Sequence, residues 1–154
     1  MRRFGYDAAL FTALVSTAVA LGPALAHLLE LPNKIGLAKG DYFTAQQIYR
    51  GWSQLGWLLL VQLVSLVAVV LYAKADRNLR RAAVLTLLCL FAAQLLFWVF
   101  TYPANAATEN WTIQPDDWAE LRRRWEFSHA GGAVLQLLGL ASLIAGVISQ
   151  HRRQ

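Results

Sequence analysis

Four long apolar segments constrain the fold of this chain more than any other feature of its sequence. They cover residues 8–29, 55–73, 82–102 and 130–150 of the 154. Each approaches the ~20 residues that an α-helix needs to cross the hydrocarbon core of a bilayer, and none alternates polar with apolar residues as a barrel strand does. Hydrophobic residues make up 57% of the chain, and its mean hydropathy is +0.41. The sequence therefore predicts an all-α, single-domain integral membrane protein, a bundle of four transmembrane helices.

Basic residues near the ends of the segments predict the orientation of the bundle. One side carries Arg2, Arg3, Lys74, Arg77, Arg80, Arg81, Arg152 and Arg153, whereas most of the acidic residues lie in the two long loops on the other side. Because basic residues concentrate in cytoplasmic segments, we expect cytoplasmic termini and outward-facing loops, in a bacterial inner membrane. The formal net charge of +5 reflects this distribution, and no nucleic-acid partner is expected.

The two halves of the chain resemble each other, which suggests a duplicated helical hairpin with repeats at 1–78 and 79–154. The first loop opens with Pro32-Asn33 and ends at Arg50-Gly51-Trp52, and the second opens with Pro103-Ala104-Asn105 and ends at Arg123-Arg124-Trp125. Both long loops of such an arrangement lie on the same side of the membrane. We expect them to form a small outward-facing cap.

Two helices are expected to begin above the membrane. Residues 42–57 contain no helix breaker except glycine, and Pro115-Asp116-Asp117 is a favourable start for a helix that continues to Gln150. The loops at 31–40 and 104–114 would fold against them. At the N-terminus, Ala24-Leu25-Ala26 resembles a signal-peptide cleavage site before His27, but the first apolar segment is long enough to span. We therefore expect an intact first helix.

Two histidines are expected at the outward membrane boundary, each three residues from a carboxylate on its helix. The pairs are His27 with Glu30 and Glu126 with His129, and residues three apart share one helical face. His27, Glu30 and His129 are candidate ligands for a single metal ion, and the two histidines are candidate axial ligands of a haem. The alternative is that the histidines bond to their carboxylates and close the end of the bundle.

Polar and aromatic residues follow two helical stripes beside these histidines. The fourth helix carries Trp118, Arg122, Trp125, His129 and Gly132, and the second carries Tyr42, Gln46, Tyr49 and Ser53. Facing stripes would line a pocket, with Gln46, Tyr49, Asn33 and Asn105 as further candidate binding residues. The alternative is an aromatic belt at the membrane interface, which needs no ligand. Gln62, Gln94 and Gln136 lie inside the spans and are expected to form hydrogen bonds between helices.

The second half resembles a known family in its motifs. Its motifs, in chain order, are Tyr102-Pro103-Ala104-Asn105, Trp118 and Arg124-Trp125-Glu126-Phe127-Ser128-His129. Together they are similar to the signature of the anthrone-oxygenase-like family of small four-helix membrane proteins. The resemblance implies oxidation of polyketide anthrones to anthraquinones by molecular oxygen, without a metal or organic cofactor. The positions that match are Pro103, Asn105, Trp118, Arg124, Trp125 and His129. The stretch at 27–34 has no such match, which leaves the substrate open.

These observations lead to three functional hypotheses. In the first, the protein oxidises a lipophilic aromatic carbon acid without a cofactor. His129 is the general base and is oriented by Glu126. Arg122 or Arg124 stabilises the enolate oxygen, and the substrate stacks on Trp118 and Trp125. In the second, His27 and His129 hold a haem or metal in a redox subunit. In the third, the protein is a non-enzymatic scaffold that binds another membrane protein. The sequence does not determine the oligomeric state.

Overall fold

The computed structural model describes residues 2–152, with side chains from residue 4. Its helices in chain order are α1 (Arg2–Lys34), α2 (Lys39–Gln46), α3 (Leu55–Tyr72), α4 (Arg77–Leu96), α5 (Tyr102–Ala107) and α6 (Trp118–His151). Two 3₁₀ turns, Gln47–Tyr49 and Trp52–Gln54, join α2 to α3, and a π-helical turn, Phe97–Thr101, joins α4 to α5. This part of the chain contains no β-strand.

Four of these helical segments are long and apolar enough to cross a membrane, which confirms the all-α prediction of four spans. They are Phe4–Lys34, Trp52–Tyr72, Arg77–Ala107 and Trp118–His151. Large apolar side chains point outward along them; Phe11 is 69% exposed and Leu88 60%. Such a surface would be unfavourable in water and is typical of contact with lipid chains.

Close contact between α4 and α6 sets the register of the bundle. A Cβ atom at Gly146 would lie 2.6 Å from the Cβ of Ala82, and one at Gly139 would lie 3.3 Å from the Thr86 methyl group. The Thr86 hydroxyl donates a hydrogen bond of 2.8 Å to the Gly139 carbonyl. Small residues at these positions let the two backbones approach, as in other membrane bundles.

The ends of the helices differ from the sequence prediction in several places. Helix α1 continues through Pro32 to Lys34, and α6 begins at Trp118 rather than at Pro115. The expected continuous helix over residues 42–57 is wrong, because Gly51 adopts a positive φ of 87° and separates two 3₁₀ turns. Glycine tolerates this left-handed conformation at little cost, so the chain changes direction here.

The two long connections pack against each other at one end of the bundle. We call this contact the inter-loop cluster; its members are Tyr42, Phe43, Ala104, Trp111, Leu121 and Trp125. The Gln47 amide also donates a hydrogen bond of 2.9 Å to the Trp111 carbonyl. The connections therefore lie at the same end, while the duplication of two hairpins stays a prediction.

Of the three glutamines inside the spans, one forms a side-chain hydrogen bond in the described part of the chain, although its Oε1 atom is buried without a partner. Gln62 donates to the hydroxyl of Thr17 on α1 at 3.2 Å, as expected for an interhelical hydrogen bond. Neither Gln94 nor Gln136 forms a side-chain hydrogen bond with any residue that the structure describes. Both line the cavity beneath the inter-loop cluster.

Candidate functional site

A cavity of about 820 Å³ lies between the four long helices, below the inter-loop cluster. Its volume is in the range of small-molecule sites, and most of its wall is apolar or aromatic. The residues of its wall on which the following argument depends are His27, Tyr49, Asn105, Trp125, His129 and Gln136. The cavity therefore combines an apolar interior with a small number of polar groups.

His27 and His129 lie side by side in this wall, although they belong to the first and the last helix. Their ring centroids are 4.3 Å apart. The Trp125 ring lies 4.0 Å from His129 and 5.0 Å from His27, and the Tyr49 ring lies 4.6 Å from His27. The expectation that both histidines lie at one depth agrees with this geometry.

The hydrogen bond of His129 determines which of its ring nitrogens faces the cavity as an acceptor. Its Nδ1 atom lies 2.9 Å from the carbonyl oxygen of Trp125. A carbonyl oxygen can only accept, so Nδ1 carries the proton, and Nε2 of the neutral ring keeps its lone pair. Nε2 has no hydrogen-bond partner among residues 2–152. His129 therefore presents a free base to the cavity.

His27 has the opposite arrangement. Its Nδ1 atom is buried and has no hydrogen-bond partner in the described part of the chain. A buried N–H group without an acceptor is rare in proteins, so the proton is better placed on Nε2. The two adjacent imidazoles then offer one acceptor and one donor, which is the combination that proton transfer at a carbon acid requires.

Glu126 does not orient His129, in contrast to the sequence hypothesis. Its carboxylate is completely buried, 3.0 Å from the ammonium group of Lys34, and it accepts a hydrogen bond of 3.0 Å from the Tyr42 hydroxyl. The Trp125 carbonyl holds His129 instead. The spacing of three residues puts the side chains of Glu126 and His129 on one helical face. A buried carboxylate, however, is stabilised far more by a cation than by a neutral imidazole.

Lys34 links Glu126 to the cavity wall, a role that the sequence reading missed. Its ammonium group donates a hydrogen bond of 2.9 Å to the Tyr49 hydroxyl and lies 3.9 Å from the Glu30 carboxylate, which in turn accepts a hydrogen bond from Tyr49. Burial, with the bond to Glu30, raises the pKa of Tyr49. Tyr49 therefore stays a neutral phenol. In the sequence, the only indication of this role is that Glu30 and Lys34 are one helical turn apart, a spacing typical of ion pairs on a helix.

The two arginines proposed to stabilise an enolate do not reach the cavity. Arg122 donates to the Leu37 carbonyl at 2.8 Å, and its guanidinium group lies 4.6 Å from the Trp118 ring. Arg124 is exposed and pairs with Glu120 at 3.0 Å. Neither contributes to the wall of the cavity. Arg124 stays exposed, as expected for a guanidinium group that is costly to desolvate, whereas Arg122 is partly buried and its Nε atom has no partner among the described residues.

The other candidate binding residues divide into two groups. The first group lines the cavity and consists of Gln46, Tyr49, Asn105 and Trp125. The second lies outside it: Trp118 packs against Tyr42 and Phe43, and Asn33 is exposed. The Asn105 side-chain oxygen accepts from the indole N–H of Trp125 at 2.9 Å and from that of Trp111 at 3.1 Å. Asn105 therefore fixes the aromatic wall.

The described residues do not fit the metal or haem hypothesis in this arrangement. A haem between two axial imidazoles needs metal–nitrogen bonds of ~2 Å on both faces, so the ring centroids would be about 6 Å apart. They are 4.3 Å apart for His27 and His129, and the Glu30 carboxylate is bound to Tyr49. Residues 2–152 contain no cluster of three histidine, cysteine or acidic side chains with metal-site geometry. The metal or haem hypothesis stays a prediction.

No protein-family model, curated protein or solved structure matches the chain. The similarity to the anthrone-oxygenase-like family stays a prediction from the residues quoted above.

Proposed function

We propose that this protein oxidises a lipophilic aromatic carbon acid with molecular oxygen, as its resemblance to anthrone oxygenases implies. The observation that supports the proposal best is the hydrogen bond from His129 Nδ1 to the Trp125 carbonyl, which leaves Nε2 as a base inside an aromatic cavity. Burial at membrane depth makes an ionisable side chain expensive, and such residues are usually functional.

In the proposed reaction the two histidines act on one activated CH₂ group beside a ring carbonyl. His129 Nε2 removes a proton from the carbon, while the Nε2–H of His27 donates a hydrogen bond to the developing enolate oxygen, the role first assigned to Arg122 or Arg124. The electron-rich carbanion combines with O₂ and a proton to form a hydroperoxide. Loss of water then gives a second ketone: one oxygen atom stays on carbon, and the other leaves as water with both hydrogens.

The remaining wall of the cavity suits a flat apolar substrate. Trp52, Trp125 and Tyr49 present ring faces and edges to it, and aromatic rings bind one another in stacked or edge-on contacts. Trp98 lines the cavity and is 58% exposed. The proposal therefore includes an entrance for a lipophilic substrate from the bilayer beside Trp98.

The proposal includes the orientation of the protein in the bacterial inner membrane. Basic residues at the end opposite the inter-loop cluster support cytoplasmic termini, so the two connections form an outward-facing cap above the cavity. The similar motifs of the two loops support a duplicated hairpin as the origin of this arrangement.

Oxygen consumption by the purified protein with anthrone tests the proposed reaction. His129→Gln should lower kcat by about 10²- to 10⁴-fold, the usual contribution of a general base, while the variant still inserts and elutes like the original protein. His151→Gln is the matched control, because His151 lies on the same helix but is exposed at the other end. Equal activity of His129→Gln and His151→Gln would refute the role of His129.

Two further measurements separate the alternatives. A haem subunit would purify with a Soret absorption band, and a metal protein with stoichiometric metal, and both signals would fall when His27 and His129 are replaced. A scaffold would co-purify with a membrane partner, and replacing His129 would leave every oxidation unchanged. Anthrone turnover by a colourless, metal-free preparation would favour the proposed oxygenase.

A further inference from the structure

Two glutamine side chains line the deep part of the cavity without a visible hydrogen-bond partner. The Oε1 atom of Gln136 is buried and unpaired, and no side-chain hydrogen bond of Gln94 or Gln136 to another described residue is present. A primary amide carries two donors and an acceptor, and leaving it unpaired in an apolar environment costs several times the thermal energy. Gln62, in a comparable membrane position, donates from Nε2 to Thr17, although its own Oε1 atom is also buried and unpaired. Gln136 differs from Gln62 in that neither side of its amide is bonded within the described chain, and it lines the cavity, where a ligand can reach it.

The helix register places both amides at one end of the cavity. Gln136 follows His129 by two turns on the same face of α6, which puts it ~10 Å deeper along the helix axis. Gly131 lies against Leu96, and Gly139 against Cys89, so α4 and α6 run antiparallel in this region. Gln94 consequently lies within about one helical turn of the depth of Gln136.

We propose that Gln136, together with Gln94, forms a second polar subsite that binds an oxygen substituent at the far end of the substrate. The inference rests on the proposed function, because it assumes that the reacting carbon lies beside His129. An amide can donate to and accept from a hydroxyl group at the same time, so a hydroxyl fits this subsite best.

The distance between His129 and the subsite at Gln136 also restricts the shape of the ligand. A single ring beside His129 would not extend over the ~10 Å to Gln136, whereas a rigid fused-ring system can contact both. Rigidity matters because a flexible ligand loses conformational entropy when both of its ends are held. Gln136 is thus a specificity residue for hydroxylated fused-ring substrates, and it takes no part in proton transfer.

Binding measured without turnover tests this inference. The probes are unsubstituted anthrone and an anthrone carrying one hydroxyl on an outer ring, titrated under nitrogen while the tryptophan fluorescence of the protein in detergent is followed. The original protein should bind the hydroxylated probe about tenfold more tightly, as one buried hydrogen bond allows. Gln136→Leu should remove that preference and leave the affinity for unsubstituted anthrone within about twofold.

Gln62→Leu is the matched control, because Gln62 is a buried glutamine of the spans that does not line the cavity. It should keep the preference, and Gln94→Leu should weaken it. An unchanged preference in Gln136→Leu would overturn the inference, as would equal binding of both probes by the original protein. Binding with the expected preference but without oxygen uptake in air would contradict the proposed reaction alone. Failure of both probes to bind would overturn both proposals.

Discussion

Lys34 at the end of α1 and Glu126 on α6 form an ion pair of 3.0 Å in which the carboxylate is completely buried. The pair joins the first helix to the last beside the cavity, and Tyr42 adds a hydrogen bond from the inter-loop cluster. Removing one partner of a buried ion pair leaves an uncompensated charge, which is more damaging than replacing both. This asymmetry provides the first prediction.

Lys34→Met should lower the free energy of unfolding by about 3–5 kcal/mol, because Glu126 loses the cation that compensates its charge. The double variant Lys34→Met, Glu126→Gln should recover part of this loss. Thermal unfolding in detergent measures the effect, with Lys39→Met as control, since the Lys39 ammonium group makes only an exposed bond to the Gln114 carbonyl. Equal stability of the two single variants would show that the pair does not hold the helices.

Loss of the His27 donor should slow oxidation, whereas loss of Arg124 should not. His27→Phe keeps the size of an aromatic ring but removes the Nε2–H group, and one donor to a developing oxyanion is worth about 10²- to 10³-fold in kcat. Arg124→Gln should leave kcat within about twofold, because Arg124 contacts only Glu120 outside the cavity. A large loss of activity in Arg124→Gln, with His27→Phe active, would restore the original assignment of the arginine.

A methyl group at Gly146 should separate α4 from α6. The new Cβ would lie 2.6 Å from the Cβ of Ala82 and 3.3 Å from the Leu79 Cα, so Gly146→Ala should destabilise the bundle by about 1–3 kcal/mol. Gly132→Ala is the control, because nothing lies within 4 Å of a Cβ there. Adding Ala82→Gly should rescue Gly146→Ala. A stable Gly146→Ala would mean that the helices pack less closely.

Labelling of single cysteines can test the orientation in the membrane. In a Cys89→Ser background, Thr112→Cys in the second long connection should react with an impermeant thiol reagent added to intact spheroplasts. Lys74→Cys, between α3 and α4, should react only after the membrane is permeabilised. Both positions are exposed in the structure, so burial within the protein does not protect either of them from the reagent. The reverse labelling pattern would invert the orientation inferred from the basic residues.

Much of the bundle could be predicted from the sequence because the determining properties are local. The length of each apolar segment predicts a spanning helix, and an even number of spans between the loops puts both loops on one side. The same reasoning brought His27 and His129 to one depth, and the helical stripe placed Trp125 beside His129. Boundaries were less predictable, since a glycine is compatible with a helix and with a turn, and Gly51 adopts the left-handed conformation that ends the helix.

The partners of the site residues were decided by the tertiary structure alone. Helical spacing shows which side chains share a face, but it does not show which group from another helix meets them. Thus Glu126 pairs with Lys34 rather than with His129, and the Trp125 carbonyl sets the tautomer of His129. Gln62 finds Thr17, whereas Gln136 finds no described partner and lines the cavity. Sequence determines that these groups lie within or beside the apolar spans, and packing determines which of them pair with another helix and which line the cavity unpaired.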